Sequence, residues 1–278
     1  MGITYRSDVA GELFEHLGGR IDGVDCEKFR LCSMDALRVT VNTREAAEKL
    51  GKSVGDYYTL SLDGVCYRSH PRFEYAVRAV GALIRRCLPS DLRGGVLVAA
   101  LGNPDITPDA VGSLAASSLL VTRHISGKPG FERFSKVSLC RTGVLGTTVV
   151  ESAVEIKALC DSIHPSAVIA VDALAGGELS ALCRSIQVCN TGISPGSGVG
   201  NDRAALDREF LGVDVVAVGV PTVMDASGIC ASGECADMFI TPRNIDSLVR
   251  CVSRIIGYGI NLALHDGLSV EDVDALIG

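Results

Sequence analysis

Two aspartates lie where apolar runs give way to loops, a placement from which a carboxylate can act on water. Val96 to Leu101 is an uninterrupted apolar run closed by Gly102, followed by Asn103-Pro104-Asp105-Ile106-Thr107-Pro108-Asp109. Thr107-Pro108 opens a helix, so Asp109 falls in its first turn, where the helix dipole and unpaired N–H groups favour the ionised acid. The same placement would suit an acid that only caps the helix. The second acid, Asp172, ends the apolar run Val168-Ile169-Ala170-Val171 with no Lys or Arg beside it in sequence. A carboxylate there is costly unless it is hydrogen-bonded or protonated, although strand-end acids also serve structure alone. Opened onto one crevice, the two acids could share a proton, one acting as base toward water and the other as acid.

A third candidate is Thr191-Gly192-Ile193-Ser194-Pro195-Gly196-Ser197-Gly198-Val199-Gly200-Asn201. It lacks a full GxGxxG and follows only a short strand, Ile186 to Cys189, so a dinucleotide loop has little support. Its glycines would let backbone approach a neighbouring segment or a bound peptide closely. No GxSxG elbow of strand, turn and helix and no HExxH helix is read, and His16, His70, His124, His164 and His265 are scattered, against a Ser/His/Asp or zinc hydrolase; His124 could reach a site from the far end of a helix ending in Leu119–His124, or serve structure alone. The 11 Cys are odd in number and form no CxxC pair; most read as small buried hydrophobes.

These residues need a scaffold, and the patterning supplies an α/β one. Val96–Leu101, Ala167–Val171 and, with Asp214 its one polar residue, Val213–Val218 are apolar runs that fit parallel strands buried on both faces. Phe73, Val77, Val80, Ile84 and Cys87 recur at helical spacing, as do Ile245, Leu248, Val249, Val252, Ile255 and Ile256 after Thr241-Pro242, which reads as N-cap and first helical residue. Alternation of this kind predicts a doubly wound sheet with right-handed crossovers. Residues 20–68 are more polar, with strands at Val39–Val41 and Tyr57–Leu62, and form a small N-terminal β elaboration on that sheet. The 278 residues suit one domain with such an elaboration. A net charge of −7 speaks against nucleic acid as partner, and no apolar run approaches the roughly 20 residues of a membrane span. Acidic residues interrupt Met1 to Gly19 where a signal peptide would be apolar, so the expected location is cytoplasmic.

In this order the blocks resemble the germination protease family of endospore-forming bacteria. The matches are Leu101-Gly102-Asn103 with Thr107-Pro108-Asp109-Ala110, Leu119-Leu120-Val121-Thr122-Arg123-His124, Gly143-Val144-Leu145-Gly146, Asp172-Ala173-Leu174-Ala175, the loop from Thr191 to Asn201, and Gly219-Val220-Pro221-Thr222-Val223-Met224-Asp225-Ala226. Tyr5-Arg6-Ser7-Asp8-Val9-Ala10 and Gly259-Ile260-Asn261-Leu262-Ala263-Leu264-His265 extend the likeness to both ends.

The resemblance implies a three-layer, mostly parallel doubly wound α/β fold, phosphorylase/hydrolase-like as in hydrogenase-maturation peptidases. It further implies an endopeptidase that degrades small acid-soluble spore proteins at germination in the spore core, a self-processing zymogen, and a homotetramer. The family is regarded as an atypical aspartic peptidase, whose two acids correspond to Asp109 and Asp172, with no cofactor. It cuts after an acidic residue and before an apolar one followed by Ala, the form of Ser7-Asp8-Val9-Ala10, which places the maturation cut between Asp8 and Val9. Residues 1–8 are then a prosegment and 9–278 the peptidase domain. Asn103, Arg123, His124, Gly196, Ser197, Gly198 and Asn201 are the expected substrate-binding residues, Arg123 facing the acidic residue before the cut. A metal-assisted peptidase using Asp109, Asp172 and His124, or a silent paralogue that binds spore proteins, would draw on the same residues. The chain departs from the family in lacking a long insertion between Asp225-Ala226 and Thr241-Pro242, in Gly176-Gly177 after the second acid, and in Arg141-Thr142 before Gly143.

Overall fold

The computed structural model describes residues 5–196, 204–228 and 238–277. In chain order the first half contains α1 (Ala10–His16), β1 (Val24–Leu31), β2 (Met34–Val41), α2 (Arg44–Leu50), β3 (Gly55–Ser61), α3 (Phe73–Cys87), β4 (Val96–Ala100), α4 (Val111–Ala116) and β5 (Val137–Arg141). The second half contains α5 (Leu145–Thr148), α6 (Ser152–Ile163), β6 (Ala167–Gly176), β7 (Ser185–Cys189), α7 (Arg208–Leu211), β8 (Asp214–Asp225), β9 (Phe239–Ile240), α8 (Ile245–Leu264) and α9 (Val270–Ile277).

One mixed sheet runs β1-β2-β3-β7-β8-β6-β4-β5, with β9 on β8. The apolar runs form its parallel part, where β6 pairs with both β4 and β8 and β4 pairs with β5. The polar N-terminal stretch adds β1, β2 and β3 antiparallel, and β3 joins the rest through β7. Alternate strand residues face opposite ways. Val96, Val98, Ile169, Val171, Val216 and Val218 pack with the buried faces of α3, α4 and α8. Leu97, Ala99, Val168, Ala170 and Val215 pack under α6 and α7, while α1 and α2 cover Val39, Val41 and Tyr57. Helices on both faces make the three layers of the expected fold class. Each large aliphatic side chain removed from water contributes about 1.5–3 kcal/mol.

Three local expectations are corrected. Asp172 does not end its strand: β6 continues to Gly176, the acid facing a site instead of a turn. Thr241-Pro242 does not cap α8, because the Thr241 hydroxyl donates to Thr222 O at 2.9 Å and the helix starts only after Asn244. Leu119–His124 is not the far end of a helix; α4 stops at Ala116, where apolar spacing lapses, and the segment continues as extended chain and turn. Every described cysteine is a free thiol, and burial pushes those of Cys87, Cys140 and Cys183 up to about 12, as small core hydrophobes require. Cys230 and Cys235 lie outside the described residues. Among the described residues no helix is long and apolar enough to cross a membrane.

Candidate active site

Asp109 and Asp172 line one cavity of about 330 Å³ at the carboxyl ends of β4 and β6, together with Asp8. Asp172 is 4 % exposed, and its Oδ1 accepts from the Ala173 N–H at 2.9 Å. Asp109 closes a single 3-10 turn, Thr107–Asp109, ahead of α4. It caps neither helix; its Oδ2 accepts from the Asn103 N–H at 2.8 Å, drawing the loop after β4 back on itself. Gly102 makes that fold possible with a φ of +89°, and a Cβ on it would stand 2.0 Å from Asp109 O. Asn103 therefore reaches the site through its backbone, its side-chain Oδ1 accepting from the Asp105 N–H. Ile106, Pro108, Leu174 and Phe239 give the cavity apolar walls, and Gly196 lies on its rim. Thr222 lines it with a buried hydroxyl that has no hydrogen-bond partner among the described residues.

The N-terminal segment is seated against this cavity. The β6–β8 register shifts between Leu174 and Ala175, the extra residue being Thr222 on β8. Beside this irregularity Ala175 is bonded to Asp8: its N–H donates to Asp8 Oδ2 at 2.9 Å and its C=O accepts from Asp8 N at 2.8 Å. The Val9 N–H donates to Ser7 Oγ at 2.9 Å, and the Ser7 hydroxyl donates to Glu12 Oε2. Burial pushes the Glu12 carboxyl above the usual range, against the hydrogen bonds from Ser7 and the Gly177 N–H. Tyr5 stacks on His16 with ring centroids 3.8 Å apart, and Arg6 pairs with Asp225 at 3.5 Å. The unusual Gly177 makes room for this arrangement, since a Cβ there would lie 2.3 Å from the Tyr5 ring.

Two residues that sequence reading missed complete the neighbourhood. Gln187, 6 % exposed on β7, hydrogen-bonds the main chain of both Asp8 and Ala10. Lys52, just past α2, lines an adjoining cavity of about 210 Å³ that also contains Asp8, Leu174 and Gln187. Burial pushes the Lys52 amine down, while Asp8 and Cys189 favour its charged form. A Gln inside the apolar run Ser-Ile-Gln-Val-Cys was a usable signal for the first; nothing in sequence distinguished Lys52.

Other expected residues are not brought here. Arg123 lies at the opposite, amino-terminal edge of the sheet, its guanidinium donating to Ser138 Oγ at 2.6 Å and to Gly94 O at 2.9 Å. His124 follows it on an exposed turn, so Asp109, Asp172 and His124 do not form one ligand set. Among the described residues no three His, Cys, Asp or Glu side chains gather as a metal site would need. Ser197, Gly198 and Asn201 lie outside the described residues.

A family model described as germination protease matches residues 10–236. The chain is 33% identical over 319 aligned positions to a germination protease of Caldanaerobacter subterraneus subsp. tengcongensis, covering 99% of this chain and 98% of that one. It is 30% identical over 322 positions to that of Clostridium tetani, covering 99% and 100%. Both alignments exceed the 278 residues present, so these relatives carry segments that this chain lacks. Among solved structures, the [NiFe] hydrogenase maturation protease HycI of Thermococcus kodakarensis matches with a TM-score of 0.36 and 16% identity, over 64% of this chain and 99% of that one.

Proposed function

The chain belongs to the germination protease family, and from that premise we propose that it is an endopeptidase in which Asp109 and Asp172 activate one water between them. The observation that carries this reading is the convergence of two acids, distant in sequence, on a cavity shared with Asp8. One acid takes a proton from the water as its oxygen adds to a peptide carbonyl carbon; the other supplies the proton that the departing nitrogen needs. The C–N bond breaks, one water is consumed, and a carboxyl and an amine result. The chain's own residues perform every step as written.

The substrates in this reading are small acid-soluble spore proteins, degraded in the spore core at germination. The chain is made as a zymogen that cuts itself between Asp8 and Val9, with 1–8 as prosegment and 9–278 as the peptidase. Asp8 against the cavity supports that cut. The positive charge for the acidic residue before the cut comes from Lys52, across the adjoining cavity, in place of Arg123. A homotetramer is part of the same proposal and is read by light scattering on the purified chain.

Incubation with a small acid-soluble spore protein, followed by mass spectrometry of the new termini, tests the mechanism. Asp109→Asn and Asp172→Asn are each expected to lower the rate by about 10²–10⁴-fold. Full activity in Asp172→Asn would sink the paired-acid mechanism.

A further inference from the structure

One side chain spans the Asp8–Val9 bond. Gln187 Nε2 donates to Asp8 O at 3.1 Å, and Gln187 Oε1 accepts from the Ala10 N–H at 2.8 Å. The carboxamide thus meets the carbonyl before the bond and the second N–H after it, and the pairing fixes which end is oxygen, because reversal would set oxygen against oxygen. Gln187 is also in register with the catalytic acid. It pairs with Gly219 on β8, and Gly219 pairs with Asp172 on β6. Residues in one row of a sheet project to one face. Gln187 and Asp172 therefore flank a glycine from two strand spacings apart, about 10 Å, on the face that the N-terminal segment crosses.

We propose that Gln187 is a catalytic residue of this peptidase: it hydrogen-bonds the carbonyl oxygen of the residue before the cut and holds the N–H of the second residue after it. The inference rests on the proposed endopeptidase reading, with Asp8 to Ala10 showing how a substrate backbone lies. When water adds to the carbonyl carbon, negative charge grows on the carbonyl oxygen. The Nε2–H stabilises that charge by a hydrogen bond and transfers no proton. Because both contacts are to main chain, the clamp acts on any sequence the site accepts, leaving side-chain choice to the surrounding cavities. A pre-placed donor of this kind is worth about 10²–10³ in kcat.

Gln187→Glu keeps an acceptor for the N–H and loses the donor to the carbonyl oxygen. Gln187→Met, uncharged, covers the case in which a buried carboxylate prevents folding. In the full chain, self-cleavage is followed by mass spectrometry, kcat and KM are measured on a spore-protein substrate, and melting is recorded alongside. Expected for Gln187→Glu is a kcat lowered about 10²–10³-fold with KM within about threefold; Gln187→Met loses kcat similarly and raises KM as well. A merely structural role would instead make activity track the melting temperature. Either folded variant turning over within about threefold of wild type overturns the assignment while leaving the peptidase reading intact. Loss of kcat on Gln187 substitution with Asp172→Asn fully active keeps the clamp and removes the paired acids. A wild-type chain that cuts neither itself nor any spore protein overturns both.

Discussion

At the scale of single residues, the sequence exposes the acids and hides their helpers. Asp109 and Asp172 stand out because an acid beside a long apolar run needs an explanation. Lys52 sits in an ordinary polar turn, whereas Arg123, the cation within a matching block, has its guanidinium bonded to main-chain carbonyl groups at the far edge of the sheet. His265 is a further case in which placement decides chemistry. It follows α8, is 1 % exposed and lies edge-on to Phe134. Burial pushes its pKa below the ordinary 6.5, against smaller opposing effects of the Leu120 backbone and Asp266. The unfolded chain therefore binds this proton more readily than the folded one, so stability is retained above about pH 6.5 and falls as pH drops below it. Chemical denaturation between pH 7 and 5 should show wild type losing up to about 1.4 kcal/mol per pH unit more than His265→Leu; parallel slopes would refute this.

At the scale of elements, continuous Val/Ile/Ala runs announced the parallel strands, and three-and-four spacing announced α3 and α8. What escaped was the extent of β6 and the path of the chain's start. Asp172 reads as a stop because a lone acid rarely continues a buried strand, and nothing local reveals that Ala175 beyond it will bond Asp8. The turn after β4 is the element most exposed to a small change. Gly102→Ala would force a Cβ toward Asp109 O at a backbone angle that L-residues avoid. We expect a loss of about 1–3 kcal/mol in stability, measured by denaturant unfolding. Peptidase activity should fall further than that loss explains, because Asp109 moves with the turn. An unperturbed variant would mean that the loop does not position the acid.

At the scale of the whole molecule, the two halves of the sheet meet at the site. The acids belong to the parallel half, Gln187 and Lys52 to the antiparallel half with its α2 connection, and the N-terminal segment lies across both. Since Asp8 is seated in the cavity of its own chain, self-cleavage should be first order. Its rate is expected to stay constant over a hundredfold dilution, and Asp172→Asn chains mixed with active ones should remain unprocessed at early times. Acceleration with concentration would place the cut between molecules.

Val9 is 2 % exposed and stands at the head of α1. Hydrolysis of the bond before it would turn a neutral amide nitrogen into an ammonium, born out of contact with water and facing the positive pole of a helix. That charge and the carboxylate born on Asp8 beside it are both better hydrated than buried, which favours parting of the two new ends. Severing the N-terminal segment would thereby draw Asp8 out of the cavity it shares with Asp109 and Asp172 and discourage its return, so a single hydrolysis acts as its own latch.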